Sequence, residues 1–124
     1  MKLKERLNEM NYMQIDGAFV KEIEDLYKVQ LSNEVQKIVS LSQDTTFYDD
    51  KPILRGLSNT EIINATADLE VDFVAHALLP IFDIGDNDFV VFDFSENCWC
   101  LFNIVDEIKF RKTKDLINVL NIKD

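Results

Sequence analysis

The chain has 124 residues, 47% of them hydrophobic, with only three glycines and two prolines. That is enough apolar material for the core of one domain spanning residues 1–124, and it excludes a disordered or linker-rich chain. Lys and Arg total 13 against 23 Asp and Glu, a net charge of −10, which sets the surface against nucleic acid and anionic membranes and in favour of a basic protein.

The start, Met1-Lys2-Leu3-Lys4-Glu5-Arg6, is charged with no apolar run behind it, so no signal peptide is expected. Leu3, Leu7 and Met10 recur at helical spacing and predict a short helix over 2–10. Asp16 is placed to cap a second helix whose apolar face is Phe19, Ile23, Leu26 and Tyr27. Ser32 is placed to cap a third, with Val35, Ile38 and Val39 inward and Asn33, Glu34, Gln36 and Lys37 outward.

Residues 43–57 change character: Phe47-Tyr48 and Ile53-Leu54 read as short strands around a polar loop at Asp49-Asp50-Lys51-Pro52. Ser58-Asn59-Thr60-Glu61 matches a capping box, in which the Ser oxygen accepts a backbone N–H and the Glu reaches back, so a helix over about 59–68 follows. Residues 70–78 fit helix or strand equally.

Three aromatic and β-branched runs come next: Pro80 to Ile84, Phe89 to Phe94 and Cys98 to Ile104. The turns between them are Gly85-Asp86-Asn87-Asp88 and Ser95-Glu96-Asn97, which predicts an antiparallel meander. Phe89 to Phe94 is apolar at nearly every position, as a central strand covered on both faces is. Thr113 is placed to cap a last helix with Leu116, Val119 and Leu120 inward. The expected fold is therefore α+β: a central, mostly antiparallel sheet flanked by N-terminal helices and a C-terminal helix. The longest apolar stretch, Phe73 to Phe82, is too short to span a bilayer, and a cytoplasmic location is expected.

Catalytic patterns are sparse. The chain has one histidine, His76, in an apolar setting, and no nucleophile elbow, glycine phosphate loop or zinc-protease motif. Cys98 and Cys100 would share a strand face and could not form an ordinary disulfide with each other; they are too few for a structural zinc site and fit core packing. That reading fits a reducing compartment. Trp99 between them would face the other way, as core or as an exposed anchor for a partner. Asp83, Asp86, Asp88 and Asp93 gather around the first hairpin, but their spacing departs from a calcium loop and fits turn chemistry. No metal, no cofactor and no catalytic residue is expected.

Beyond these patterns, Ile23-Glu24-Asp25-Leu26-Tyr27, then Leu79-Pro80-Ile81-Phe82-Asp83-Ile84-Gly85-Asp86, then Phe92-Asp93-Phe94 resemble the SUKH superfamily (Smi/Knr-like) over about residues 19–121. The resemblance implies a non-enzymatic protein-binding domain, and its bacterial branch implies an immunity protein that binds and neutralises a cognate toxin, such as a basic nuclease. The alternative within the same resemblance is a regulatory scaffold that binds a cellular partner with no toxin involved. For the immunity reading, the acidity and the turn clustering make the expected partner-binding residues Asp83, Asp86, Asp88 and Glu96 on the hairpin turns, Asp49 and Asp50 in the earlier loop, and Trp99 as an aromatic anchor.

Overall fold

The computed structural model describes residues 1–9 and 14–120. Helix α1 (Leu3–Asn8) buries Leu3; Met10, which the spacing assigns to the same helix, lies outside the described residues. Helix α2 (Gly17–Tyr27) begins where the Asp16 carboxylate accepts the Phe19 N–H, and buries Phe19, Val20, Ile23 and Tyr27, with Leu26 half-buried. Helix α3 (Asn33–Ser42) begins where Ser32 Oγ accepts the Val35 N–H, and buries Val35, Ile38 and Val39. Each cap satisfies an N–H that the helix cannot bond internally, a contribution of about 1 kcal/mol.

Strands β1 (Thr46–Phe47) and β2 (Leu54–Gly56) follow. Gly56 is required by a close approach: a Cβ there would lie 1.7 Å from the Ser42 carbonyl oxygen. The capping box at Ser58 and Glu61 forms in full and opens α4 (Asn59–Ile63). The single helix expected to 68 is interrupted at Asn64 and resumes as α5 (Ala65–Leu69). Asn is a weak helix former because its side chain favours local non-helical bonding. Residues 70–77 are turns, so neither regular reading of them holds before Leu78.

Strands β3 (Leu78–Gly85), β4 (Asp88–Asp93), β5 (Cys98–Asn103) and β6 (Ile108–Thr113) complete one six-stranded sheet in the order β1-β2-β3-β4-β5-β6, every neighbouring pair antiparallel. Phe89 to Phe92 of β4 are all buried, as the apolar run predicts, and the Asp93 carboxylate that follows is buried with them. Strand β6 is an addition to the expected meander. Thr113 ends this strand instead of capping a helix: its hydroxyl donates to the Asp115 carbonyl, and the Asp115 carboxylate accepts the Ile117 N–H at the start of α6 (Leu116–Leu120). Leu116, Val119 and Leu120 are buried as expected.

The architecture is α+β, an antiparallel sheet with helices N-terminal to it and one C-terminal. Among the described residues no helix is long and apolar enough to cross a membrane. An up-and-down strand order has a geometric consequence: alternate connections emerge at the same end of the sheet. The β1–β2 loop (48–53), the β3–β4 turn (86–87) and the β5–β6 turn (104–107) therefore share one end, and the β4–β5 turn (94–97) lies at the other.

Candidate functional site: the loop end of the sheet

The β3–β4 turn is the tightest of these connections. Asp86 and Asn87 both have left-handed backbones, with φ of 56° and 65°, as a two-residue hairpin turn requires, and short polar side chains tolerate it. Gly85 (φ 90°) and Asp88 flank the turn as the last cross-strand pair. The Asp88 carboxylate accepts the Asn103 side-chain N–H at 2.9 Å, and the Ile104 N–H donates to the Asn87 carbonyl at 3.0 Å. Asn103 Oδ1 in turn accepts the Val105 and Asp106 N–H groups. The β3–β4 and β5–β6 turns are thus one hydrogen-bonded unit.

The β1–β2 loop is pinned from the other side. The Met1 ammonium lies 2.7 Å from Asp49 Oδ2, and the Leu3 N–H donates to Asp50 Oδ2 at 2.7 Å. The hydrogen bond and charge of the Met1 ammonium hold the Asp49 carboxyl below the ordinary carboxylate range. Asp83 on β3 is opposite Arg55 on β2 in register. Arg55 bridges it (3.3 Å) to Glu61 of the capping box (3.0 Å).

The expected binding residues consequently divide. Asp49, Asp50, Asp83, Asp86 and Asp88 all lie toward the loop end, but four of them hold the fold: Asp49 and Asp50 tie down α1, Asp83 pairs with Arg55, and Asp88 joins two turns. Asp86 is exposed, and no hydrogen bond or ion pair engages its carboxylate among the described residues. Glu96 is at the opposite end of the sheet, bound to Lys112 at 2.7 Å and Lys109 at 3.3 Å. Trp99 is fully buried, so of its two readings the core one holds. Its ring packs edge-on against Phe92 with centroids 5.0 Å apart, and its indole N–H donates to Glu34 of α3 at 3.3 Å.

Sequence reasoning passed over the other residues at this end. The exposed large hydrophobic side chains are Met1, Tyr48, Ile53, Val105 and Ile108 among the described residues, and every one belongs to the loop end or is tied to it. Tyr48 is 74% exposed and Val105 68%. Asp106 and Glu107 of the β5–β6 turn are exposed next to Val105, with Glu107 Oε1 3.6 Å from the half-exposed His76 ring. The signal was present in Asn103-Ile104-Val105-Asp106-Glu107, a second turn sequence followed by Ile108. It carried no weight without β6.

Both sheet edges are blunted. Strand β1 is two residues long, and β6 carries Lys109, Arg111 and Lys112 with a left-handed backbone at Arg111, where its register to β5 shifts. Short, charged and bulged edges discourage strand addition. Beneath β6, the fully buried Asp93 carboxylate accepts Lys109 Nζ at 2.8 Å and the N–H groups of Ser95 and Glu96. Burial works to raise this carboxyl, but the Lys109 ammonium and the two amides outweigh it and hold it below the ordinary range. Cys98 and Cys100 are buried and unbridged; burial raises both thiols, Cys100 to about 12. Among the described residues no group of three or more His, Cys, Asp or Glu side chains is arranged to hold a metal ion.

No family model, no curated protein and no solved structure matches the chain.

Proposed function

We propose that this chain is a non-enzymatic protein-binding domain that works as an immunity protein, neutralising a cognate toxin by stoichiometric complex formation through the loop end of its sheet. The observation that carries the reading is the co-location of the exposed apolar side chains with unpaired or loosely paired acids. Tyr48, Ile53, Val105 and Ile108 stand on the same end as Asp86, Asp106 and Glu107. Exposed apolar side chains that share one end of a sheet with exposed acids fit an association surface, and aromatic anchors such as Tyr supply much of the binding energy.

Charge supports the choice of partner. A surface of net charge −10 accelerates encounter with a basic protein, and a toxin that acts on nucleic acid needs basic character to hold its substrate. Binding a turn unit already locked by hydrogen bonds loses little freedom on association. The resemblance to the SUKH superfamily supplies the toxin-neutralising role itself. Co-expression with the toxin encoded beside this protein tests the proposal: growth should be restored by the wild-type chain and lost again with the Tyr48→Ser/Asp86→Lys/Val105→Ser variant. Killing that the wild-type chain leaves undiminished would contradict it.

A further inference from the structure

A cavity of about 410 Å³ opens between the start of the chain, the β1–β2 loop and α6. That volume lies in the range of small-molecule sites. Its apolar lining comes from Pro52, Leu54, Ile117 and Leu120. Around it stand Lys2, Lys4 and Lys51, together with Asp49 and Asp50.

The charges at this rim do not cancel. Asp49 is taken by the Met1 ammonium at 2.7 Å, and Asp50 accepts the Leu3 N–H at 2.7 Å. Among the described residues, Lys2, Lys4 and Lys51 are exposed and make no hydrogen bond or ion pair within 4.0 Å. Among the described residues that line the cavity, three lysines stand against two carboxylates, on a chain whose net charge is −10. A local reversal of sign over an apolar floor is what an anion with a hydrophobic body would recognise: the ammonium groups hold the charge and the floor covers the apolar part.

We propose that this cavity binds a small organic anion carrying an apolar body, such as an aromatic or medium-chain carboxylate, sulfonate or phosphate. The cavity shares the β1–β2 loop with the surface read as toxin-binding, but its recognition of a small anion does not depend on that reading. Its recognition is electrostatic at the rim, so affinity falls as salt rises.

The test uses the full chain made without any N-terminal extension, so that the Met1 ammonium keeps its place on Asp49. The probe is 1-anilinonaphthalene-8-sulfonate, titrated by fluorescence, with amide chemical shifts locating the contact. Saturable binding is expected, with shifts at Leu54, Ile117 and Leu120. Lys2→Glu/Lys4→Glu/Lys51→Glu should weaken it at least tenfold, while Lys21→Glu on α2 leaves it unchanged. The uncharged analogue N-phenyl-1-naphthylamine should bind at least tenfold more weakly than the sulfonate. Equal affinity in the triple-lysine variant, equal affinity for the uncharged analogue, shifts centred elsewhere, or no saturable binding would each overturn the proposal. Co-sedimentation of the protein with phosphatidylglycerol vesicles would overturn it as well, since it would make the ligand a lipid surface instead of a free anion.

Discussion

Trp99 on β5 donates its indole N–H to Glu34 on α3 across 3.3 Å, although Glu34 itself faces solvent and Trp99 does not. The side chain that looked most like a binding anchor is a post between the sheet and the third helix. Trp99 is the only tryptophan, so its fluorescence reports this site alone. Its emission should be blue-shifted from that of free indole, with little quenching by acrylamide. Trp99→Ala should cost about 3–5 kcal/mol by large-to-small truncation in a packed core, measured by denaturant unfolding. An exposed-indole spectrum in the native state would show the contact to be wrong.

Asp93 and Lys109 predict a sensitivity to acid. A folded-state pKa held below the ordinary carboxylate value contributes stability that is complete above that value, about 3.9 for Asp, and is lost as pH falls through the lowered folded value. Asp16, Asp49, Glu61 and Glu96 are shifted the same way. Stability should therefore decline below about pH 4, and Asp93→Ala should flatten part of that decline. The variant also leaves the turn N–H groups of Ser95 and Glu96 without their acceptor, at a cost of about 3 kcal/mol near neutral pH. Chemical unfolding of both proteins from pH 2 to 7 reads the two effects together.

Gly56 faces the Ser42 carbonyl oxygen so closely that any Cβ must displace backbone. Gly56→Ala should destabilise by about 3 kcal/mol, the upper part of the usual range for overpacking. Gly17 has nothing within 4 Å of its would-be Cβ, so Gly17→Ala should stay within about 0.5 kcal/mol. Thermal unfolding of the pair separates a steric demand from a general intolerance of substitution.

Cys98 and Cys100 should be inert while the chain is folded, because both thiols are buried and shifted upward, and the thiolate is the reactive form. Ellman's reagent at pH 8 should label neither in native protein and both in denaturant. Rapid native labelling would show that β5 opens easily.

Much of this fold was legible because its local signals are strong and unambiguous. Asp16, Ser32 and the Ser58–Glu61 pair each announce a helix start and each makes the expected bond. Phe89 to Phe94 reads as a covered central strand because both faces are apolar. Strand β6 was not legible because Ile108-Lys109-Phe110-Arg111-Lys112-Thr113 is an exposed edge, with no buried residue to impose alternation on its sequence. It is held instead by its ladder to β5 and by the Lys109–Asp93 pair, sixteen residues apart. Missing β6 also hid part of the candidate site. The acids of the first hairpin could be read from the sequence, but Val105, Asp106, Glu107 and Ile108 join them only through strand order. Burial and ion pairing, which took Trp99, Asp83 and Glu96 out of the free surface, are tertiary facts that spacing does not carry.

The dissociation constant of the complex with the cognate toxin tests the loop end of the sheet as the proposed partner-binding surface. Tyr48→Ser/Asp86→Lys/Val105→Ser should leave the unfolding temperature unchanged and weaken the complex about a hundredfold or more, each side chain contributing roughly 1–2 kcal/mol. Lys112→Ala, beside Glu96 at the far end of the sheet, should bind as the wild type does. Unchanged affinity in the triple variant, or a loss confined to Lys112→Ala, would contradict the account.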